Sequence, residues 1–282
     1  MSTARTILIT GSGAGIGRYS ALQLAQKGHR VIASGRNESA LASLVAEGKG
    51  RIHRVRLDVA DSASITAAAA EVDRLLDGGA LDVLVNNAGY AQGGALIDLS
   101  DADLRRQFDT NVFGLMAVTR ALLPALRRSS RGRIINISSI GGRLTMPLSG
   151  AYHASKYALE ALSDALRMEL RPLGMDVAII EPGPIRSEFA ARALDSAGTY
   201  LARTDSHYAA AYAKVGRLQA LAARHEVGPE VVEQALEHAM NARRPRARYV
   251  VPGRMGFLLF LTRFVPTFLL DRIVSRIMGL EG

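Results

Sequence analysis

Through its first two-thirds the chain alternates short, unbroken runs of Val, Ile and Leu with longer amphipathic stretches. The runs at 5–10, 29–34, 51–57, 81–86, 132–138 and 175–181 have the length and β-branched content of strands buried on both faces. Helical periodicity fills the intervals at about 15–28, 38–48, 62–77, 101–129 and 151–173. Gly or Asp marks many of the boundaries, and Ser100-Asp101 reads as a cap ahead of Leu104. A chain that alternates in this way is predicted to form an α/β fold, a doubly wound parallel sheet with helices on both faces.

After Glu181 the pattern changes. Residues 184–226 are rich in Ala and Arg and read as a helical excursion, followed by a helix at 229–242 and a seventh strand, "ARYVVP". No linker or low-complexity tract intervenes, so residues 1–253 are predicted to form one domain and 254–282 a helical extension. The extension carries an apolar run broken at Arg263 and Pro266, far short of the roughly 20 residues that span a bilayer. From Leu269 onward, apolar pairs at 269/270, 273/274 and 277/278 alternate with polar ones, predicting an amphipathic helix with Arg272 and Arg276 on its wet face. Peripheral contact with a membrane through this segment is one expectation; packing over a pocket or a subunit interface is the other.

Composition narrows the chemistry. With no Cys, neither a disulfide framework nor a thiolate metal site exists, and no metal is expected. The first apolar run begins almost at the N-terminus and leaves no room for a leader, which predicts a cytoplasmic protein. The net charge of +9 comes from Arg dispersed along the chain rather than clustered with aromatics, so no nucleic-acid partner is expected. Attraction to anionic phosphates or lipid headgroups stays open.

Two short motifs carry the chemistry. "TGSGAGIGR" leaves the first strand and opens the first helix, and Gly11, Gly15 and Gly17 allow a sharp turn with backbone N–H groups close to a phosphate. The second strand ends "VIASGRN": where an acid would hold ribose hydroxyls, Gly35 leaves space and Arg36 offers a guanidinium suited to a 2′-phosphate. Further on, "YHASK" sets Tyr152 and Lys156 one helical turn apart on one face. A bland reading is an amphipathic Tyr beside a snorkelling Lys. A sharper one is an acid–base pair. A cation at ~4 Å and an effective dielectric of ~20 favours phenolate by about 4 kcal/mol, enough to lower a pKa near ~10 by up to roughly three units.

The glycine turn, "DV" at 58–59, "NNAG" at 86–89, Asn111, "ISS" at 137–139, "YHASK" and "PGPIRS" at 182–187 occur in order. Together they resemble the short-chain dehydrogenase/reductase family over residues 5 to 190, and "PGPIRSEF" with a long tail is similar to its hydroxysteroid and retinol dehydrogenase branches. The resemblance implies a Rossmann-type fold of about seven strands, a dinucleotide cofactor with NADP(H) preferred over NAD(H), and Asn111, Ser139, Tyr152 and Lys156 as catalytic residues. Cofactor contacts carried over from the family are Gly11, Ser12, Gly15, Ile16, Gly17, Arg36, Asp58 and Val59 at the adenine half. At the nicotinamide half they are Asn86, Tyr152, Lys156, Ile185 and Ser187. Ser139 and Tyr152 would hold the substrate oxygen, with Leu144, Met146, Phe189 and Leu194 supplying an apolar wall. The implied activity interconverts a hydrophobic alcohol with its ketone or aldehyde by hydride transfer, with Tyr152 as acid/base. A homodimer or homotetramer is expected. The alternative is a non-catalytic NADP(H) sensor that binds a partner through the same fold.

Overall fold

The computed structural model describes residues 4–280. Its centre is a seven-stranded, all-parallel sheet: β1 (Thr6–Ile9), β2 (Arg30–Gly35), β3 (Ile52–Arg56), β4 (Val83–Asn86), β5 (Arg133–Ile137), β6 (Asp176–Pro182) and β7 (Arg248–Val251). The spatial order is β3-β2-β1-β4-β5-β6-β7. Strand order therefore reverses between β1 and β4, and in an open α/β sheet that is where the carboxyl ends leave a crevice.

Side chains that alternate along each strand go to opposite faces. Ile7, Ile9, Ile135 and Ile137 pack against α1 (Gly15–Gln26), α2 (Glu38–Glu47) and α9 (Glu230–Asn241). Leu8, Ile32, Leu84 and Ile134 face α3 (Ser62–Leu76), α5 (Leu115–Arg127) and α6 (Gly150–Leu170). The strands read as unbroken apolar runs because neither face meets water, and each fully buried Ile or Leu contributes about 1.5–3 kcal/mol.

The helix expected over 101–129 is made of three pieces. α4 (Asp101–Phe108) starts on the Ser100 cap, whose hydroxyl accepts from Asp103 N at 3.1 Å, and α5 ends the stretch. Between them, Asp109–Gly114 forms a π-helical turn. Gly114 lets this turn lie on the backbone of β3's exit: a Cβ there would stand 2.2 Å from Val59 O. Periodicity does not reveal such a widened turn, which often marks a functional position.

Beyond β6 the excursion forms α7 (Phe189–Leu201) and α8 (Ala209–Ala223). From Leu269 onward the tail follows α11 (Thr267–Met278), and a further helix, α10 (Gly253–Thr262), precedes it across a break at residues 263–266. A small third core of Ala95, Leu148, Ala211, Tyr212 and Met278 ties α8 and α11 to the loops above the sheet.

Candidate active site

The crevice begins with backbone. Gly11 and Gly15 have φ of +69° and +53°, and a Cβ on Gly17 would lie 2.6 Å from Gly11 O and 2.5 Å from Asn87 Nδ2. Side chains there would close the turn. Thr10 and Asn87 pin it to the neighbouring strand: Thr10 Oγ1 accepts from Asn87 N and Ala88 N at 2.9 Å each, and Asn87 Nδ2 donates to Thr10 O at 2.9 Å. The N-terminus of α1 has neither a side-chain cap nor an acid in its first turn. Among the described residues no side chain caps its first N–H groups, which together with the helix dipole form the arrangement that takes a phosphate. The residues present fit a dinucleotide.

Opposite, the register of β5 and β6 places Ser139 and Pro182 on the same edge, where the Ser139 hydroxyl donates to Pro182 O at 3.4 Å and accepts from Gly141 N at 3.0 Å. α6 brings Tyr152 and Lys156 to that edge, one turn apart, with Lys156 Nζ 5.8 Å from the Tyr152 ring centroid. Lys156 is buried and gives one N–H to Ile137 O at 2.8 Å. Asn111, in the π-turn, donates to Tyr90 O and Ser155 Oγ at 3.0 Å each and accepts from Tyr90 N at 3.1 Å. All four proposed catalytic residues therefore lie on or directly behind one wall of the crevice.

Electrostatics here run against the simple expectation. Burial pushes the Tyr152 phenol up to about 12, with a Ser139 hydrogen bond opposing it. Burial also draws the Lys156 ammonium down to about 8, with the Glu160 carboxylate opposing it. Lys156 was expected to acidify Tyr152; desolvation is instead the largest influence on both groups.

Other expected contacts divide. Arg36 stands at the tip of β2 with its side chain 79% exposed and 3.9 Å from Asp58 Oδ2, and Asp58 also accepts from Ala60 N at 3.0 Å to cap the next turn. Gly15 faces Ser187, whose Cβ is 3.5 Å from where a Gly15 Cβ would be, so the two ends of the crevice come together there. Three of the expected residues turn their side chains into the protein. Ser12 is fully buried, its hydroxyl donating back to Ile9 O at 2.7 Å. Val59 is buried among Leu57, Ile65 and Val118 in the core. Asn86 donates to Asn136 Oδ1 at 2.9 Å and Thr119 Oγ1 at 3.0 Å, and Asn136 passes the chain to Ser163 on α6 at 2.8 Å. Asn86 thus fixes α6 against the sheet. Ile16 and Ile185 also pack into the core, the latter bridged to Val227.

The sequence profile described as short chain dehydrogenase matches residues 5–198. The chain belongs to the short-chain dehydrogenase family. Human retinol dehydrogenase 5 is 37% identical over 283 aligned positions, covering 96% of this chain and 88% of that protein. Among solved structures, a short-chain dehydrogenase/reductase from Burkholderia phymatum in complex with NAD superposes with a TM-score of 0.78 at 26% identity, over 92% of this chain and 93% of that one. Actinorhodin polyketide ketoreductase with NADPH gives 0.75 at 28%, over 91% and 99%. The protein is an oxidoreductase of this family, with its Rossmann-type sheet.

Beside the catalytic wall lies a cavity of about 1030 Å³. Leu144 and Met146 line it, its far wall is Leu259, Phe260, Leu270 and Val274 of the tail, and from the excursion only Tyr208 reaches it. Phe189 stands elsewhere, its ring centroid 5.7 Å from that of Tyr152. Sequence reasoning missed two further groups. His153 Nδ1 accepts from Met146 N at 2.9 Å and anchors the cavity loop next to Tyr152. Behind Lys156, buried Glu160 and Glu181 share Arg248 at 3.0 and 3.1 Å, while Arg143, which lines the cavity, reaches Glu181 at 3.3 Å. The i,i+4 spacing of Glu160 from Lys156 was the available signal.

Proposed function

We propose that the protein is an NADP(H)-dependent oxidoreductase that interconverts a hydrophobic alcohol and its ketone or aldehyde. The observation that carries this reading is the convergence of Ser139, Tyr152 and Lys156 on one wall, beside a glycine cradle whose helix N-terminus no described side chain caps.

When bound, the nicotinamide exchanges a hydride with the substrate carbon. The chain does the rest. Tyr152 passes the proton to or from the substrate oxygen, and Ser139 donates a hydrogen bond to the same oxygen, steadying its developing charge. A phenol held at about 12 stays protonated at neutral pH, the state from which carbonyl reduction starts. Lys156 holds the ribose of the nicotinamide half and lends its charge to Tyr152, while Asn111 sits where the family keeps a proton-relay water. Arg36, exposed and unburdened by close hydrogen bonds to protein, supports NADP(H) over NAD(H) by offering a fork to a 2′-phosphate. Leu144, Met146 and Phe189 give the substrate side its apolar character, as the name of the retinol dehydrogenase relative also suggests. Exposed Phe113 in the π-turn and Met168 on α6 support a homo-oligomer built on those helices.

The test is the Tyr152→Phe variant assayed on a panel of carbonyls and alcohols with NADPH and NADH. Turnover by the parent and its loss in the variant is the expected result. Equal rates for both would sink the mechanism, and cofactor binding without turnover on any substrate would favour the sensor.

A further inference from the structure

The tail is out of proportion to what it covers. On α11, Leu270, Val274 and Met278 recur at helical spacing and turn inward, to the cavity and the small third core. Leu269, Ile273 and Ile277 recur at the same spacing one residue away, yet stand 41%, 47% and 51% exposed. The apolar face of α11 is thus about twice as wide as the protein surface that receives it. On α10 the imbalance is greater: Leu259 is buried, but Phe257, Leu258, Phe260 and Leu261 are 66%, 43%, 58% and 44% exposed. The turn between the helices adds Phe264 at 69%, and α11 opens with Phe268 at 73%. A soluble monomer rarely leaves so many large apolar side chains contiguous along its chain unless something covers them.

Charge says what. Residues 253–282 contain Arg254, Arg263, Arg272 and Arg276 against Asp271 and Glu281, so four positive charges and two negative leave +2. Arg272 and Arg276 follow Leu269 by three and seven residues, which sets them along one edge of the exposed stripe. A stripe of Phe, Leu and Ile edged by Arg matches the boundary between acyl chains and anionic headgroups, and the chain as a whole carries +9. The cavity adds an independent argument. Phe260 both lines it and stands exposed, and so do Leu96 and Ile97 across the gap at 53% and 84%, so apolar surface runs without a break from the outside of the tail into the interior. A second copy of the chain would bring a matching set of Arg to the same stripe. Among the described residues no helix is long and apolar enough to cross a membrane, which leaves the surface of the bilayer.

We propose that α10 and α11 dock this protein on an anionic lipid bilayer, with their exposed Phe, Leu and Ile side chains in the acyl boundary and Arg272 and Arg276 at the headgroup phosphates.

The absence of Trp from the chain gives a clean reporter. Full-length Phe264→Trp is mixed with vesicles of phosphatidylcholine, with and without phosphatidylglycerol, some carrying a brominated-chain lipid. The expected result is a blue shift and bromine quenching with the anionic vesicles, much weaker with the neutral ones. Phe113→Trp, exposed in the π-turn and outside the tail, should show neither. In flotation of the Trp-free protein, replacing Phe257, Phe260, Phe264 and Phe268 with Ser should lower vesicle binding at least about tenfold. Arg272→Gln should lower it about fivefold, more at low salt than at high. Thermal melts confirm that the variants are folded, and Arg272→Gln serves as the readout should the fourfold variant not be. Absent flotation of the parent on anionic vesicles overturns the proposal, as does a Phe264→Trp signal no larger than that of Phe113→Trp. So does light scattering in which the fourfold variant loses an oligomer while the parent ignores vesicles, because the stripe is then a self-interface.

Discussion

The two sides of the crevice are built by different means. On the cofactor side, β1 and β4 are held together by backbone atoms and two short side chains, Thr10 and Asn87, and glycine fits because the gaps are narrower than a methyl group. On the substrate side, helices are tied down by individual polar latches. Asp98 accepts from Ser206 at 2.6 Å and from Tyr212 at 2.7 Å, Gln92 donates to Ser196 O at 2.7 Å, and Tyr200 hydrogen-bonds Asp103. The first side has one way to be assembled. The second has been assembled from parts that other sequences could replace, which suits a wall that selects a substrate. Substitutions should therefore be punished on the cofactor side and tolerated on the substrate side, except where they touch the transferred proton.

The largest effect tests that exception. Tyr152→Phe keeps the ring against Phe189 and His153 and removes only the hydroxyl. We expect kcat to fall by about 10²–10⁴-fold, the usual worth of a positioned acid–base group, with dinucleotide affinity and melting temperature little changed. A variant that instead binds the dinucleotide poorly would make Tyr152 a structural part of the cofactor side.

Gly17→Val comes next. Its Cβ would press on the Gly11 carbonyl at 2.6 Å, which is backbone and cannot rotate away. Loss of measurable dinucleotide binding and destabilisation by about 1–3 kcal/mol are expected, from calorimetry and urea melts. Retained binding would mean that the cradle is softer than the comparison allows. A smaller change on the same side is Arg36→Ala. The KM for NADPH should rise about tenfold or more with that for NADH nearly unmoved, since a charge-assisted fork is worth about 1.5–3 kcal/mol.

This contrast also explains what could be read from the chain in advance. The strands were legible because burial on both faces leaves no room for polar interruption, and the cradle because glycines in a strand-to-helix turn have few other uses. Tyr152 and Lys156 were legible from their spacing. The direction of the Asn86 side chain was not legible, because a motif gives a position and not an orientation: its amide nitrogen turns to Asn136 and Thr119. The π-turn at Asp109–Gly114 left no trace in the periodicity, which reads the same through α4 and α5. The tail was seen as amphipathic, but nothing in the pattern said that half of its apolar face would be inward and half outward. The latches were invisible for a plainer reason. Asp98 lies 108 residues from Ser206, and no local rule pairs them.

His153 separates the two sides by pH. Burial holds its imidazole down near 4 from an ordinary 6.5, and Met146 N donates to its Nδ1, so the native state keeps it neutral. Between pH 6.5 and 4 the unfolded chain takes up a proton that the folded chain refuses, so stability falls as pH falls through that window. The full cost approaches about 3 kcal/mol, from roughly 1.4 kcal/mol per pKa unit. Urea melts at the two ends of the window should show His153→Phe losing less stability than the parent. An identical loss would mean that the imidazole is wetter than its surroundings suggest, and that the loop carrying Met146 opens readily.

The smallest effect asks whether the substrate side truly has slack. Gly198 lies within α7, and a Cβ there would meet nothing within 4 Å. Its backbone is helical, so Ala fits without strain and removes freedom only from the unfolded chain, which predicts a gain of about 0.4–1 kcal/mol. Catalysis should not change, because α7 is fastened through Gln92, Ser196 and Tyr200 rather than through Gly198. If Gly198→Ala stabilises the protein yet slows turnover, the helix has to flex during the cycle, and the slack is a working part of the enzyme rather than a tolerance. If it is neutral in both, the latches alone set how far α7 moves, and the two sides differ in how they are fastened but not in how rigid they are.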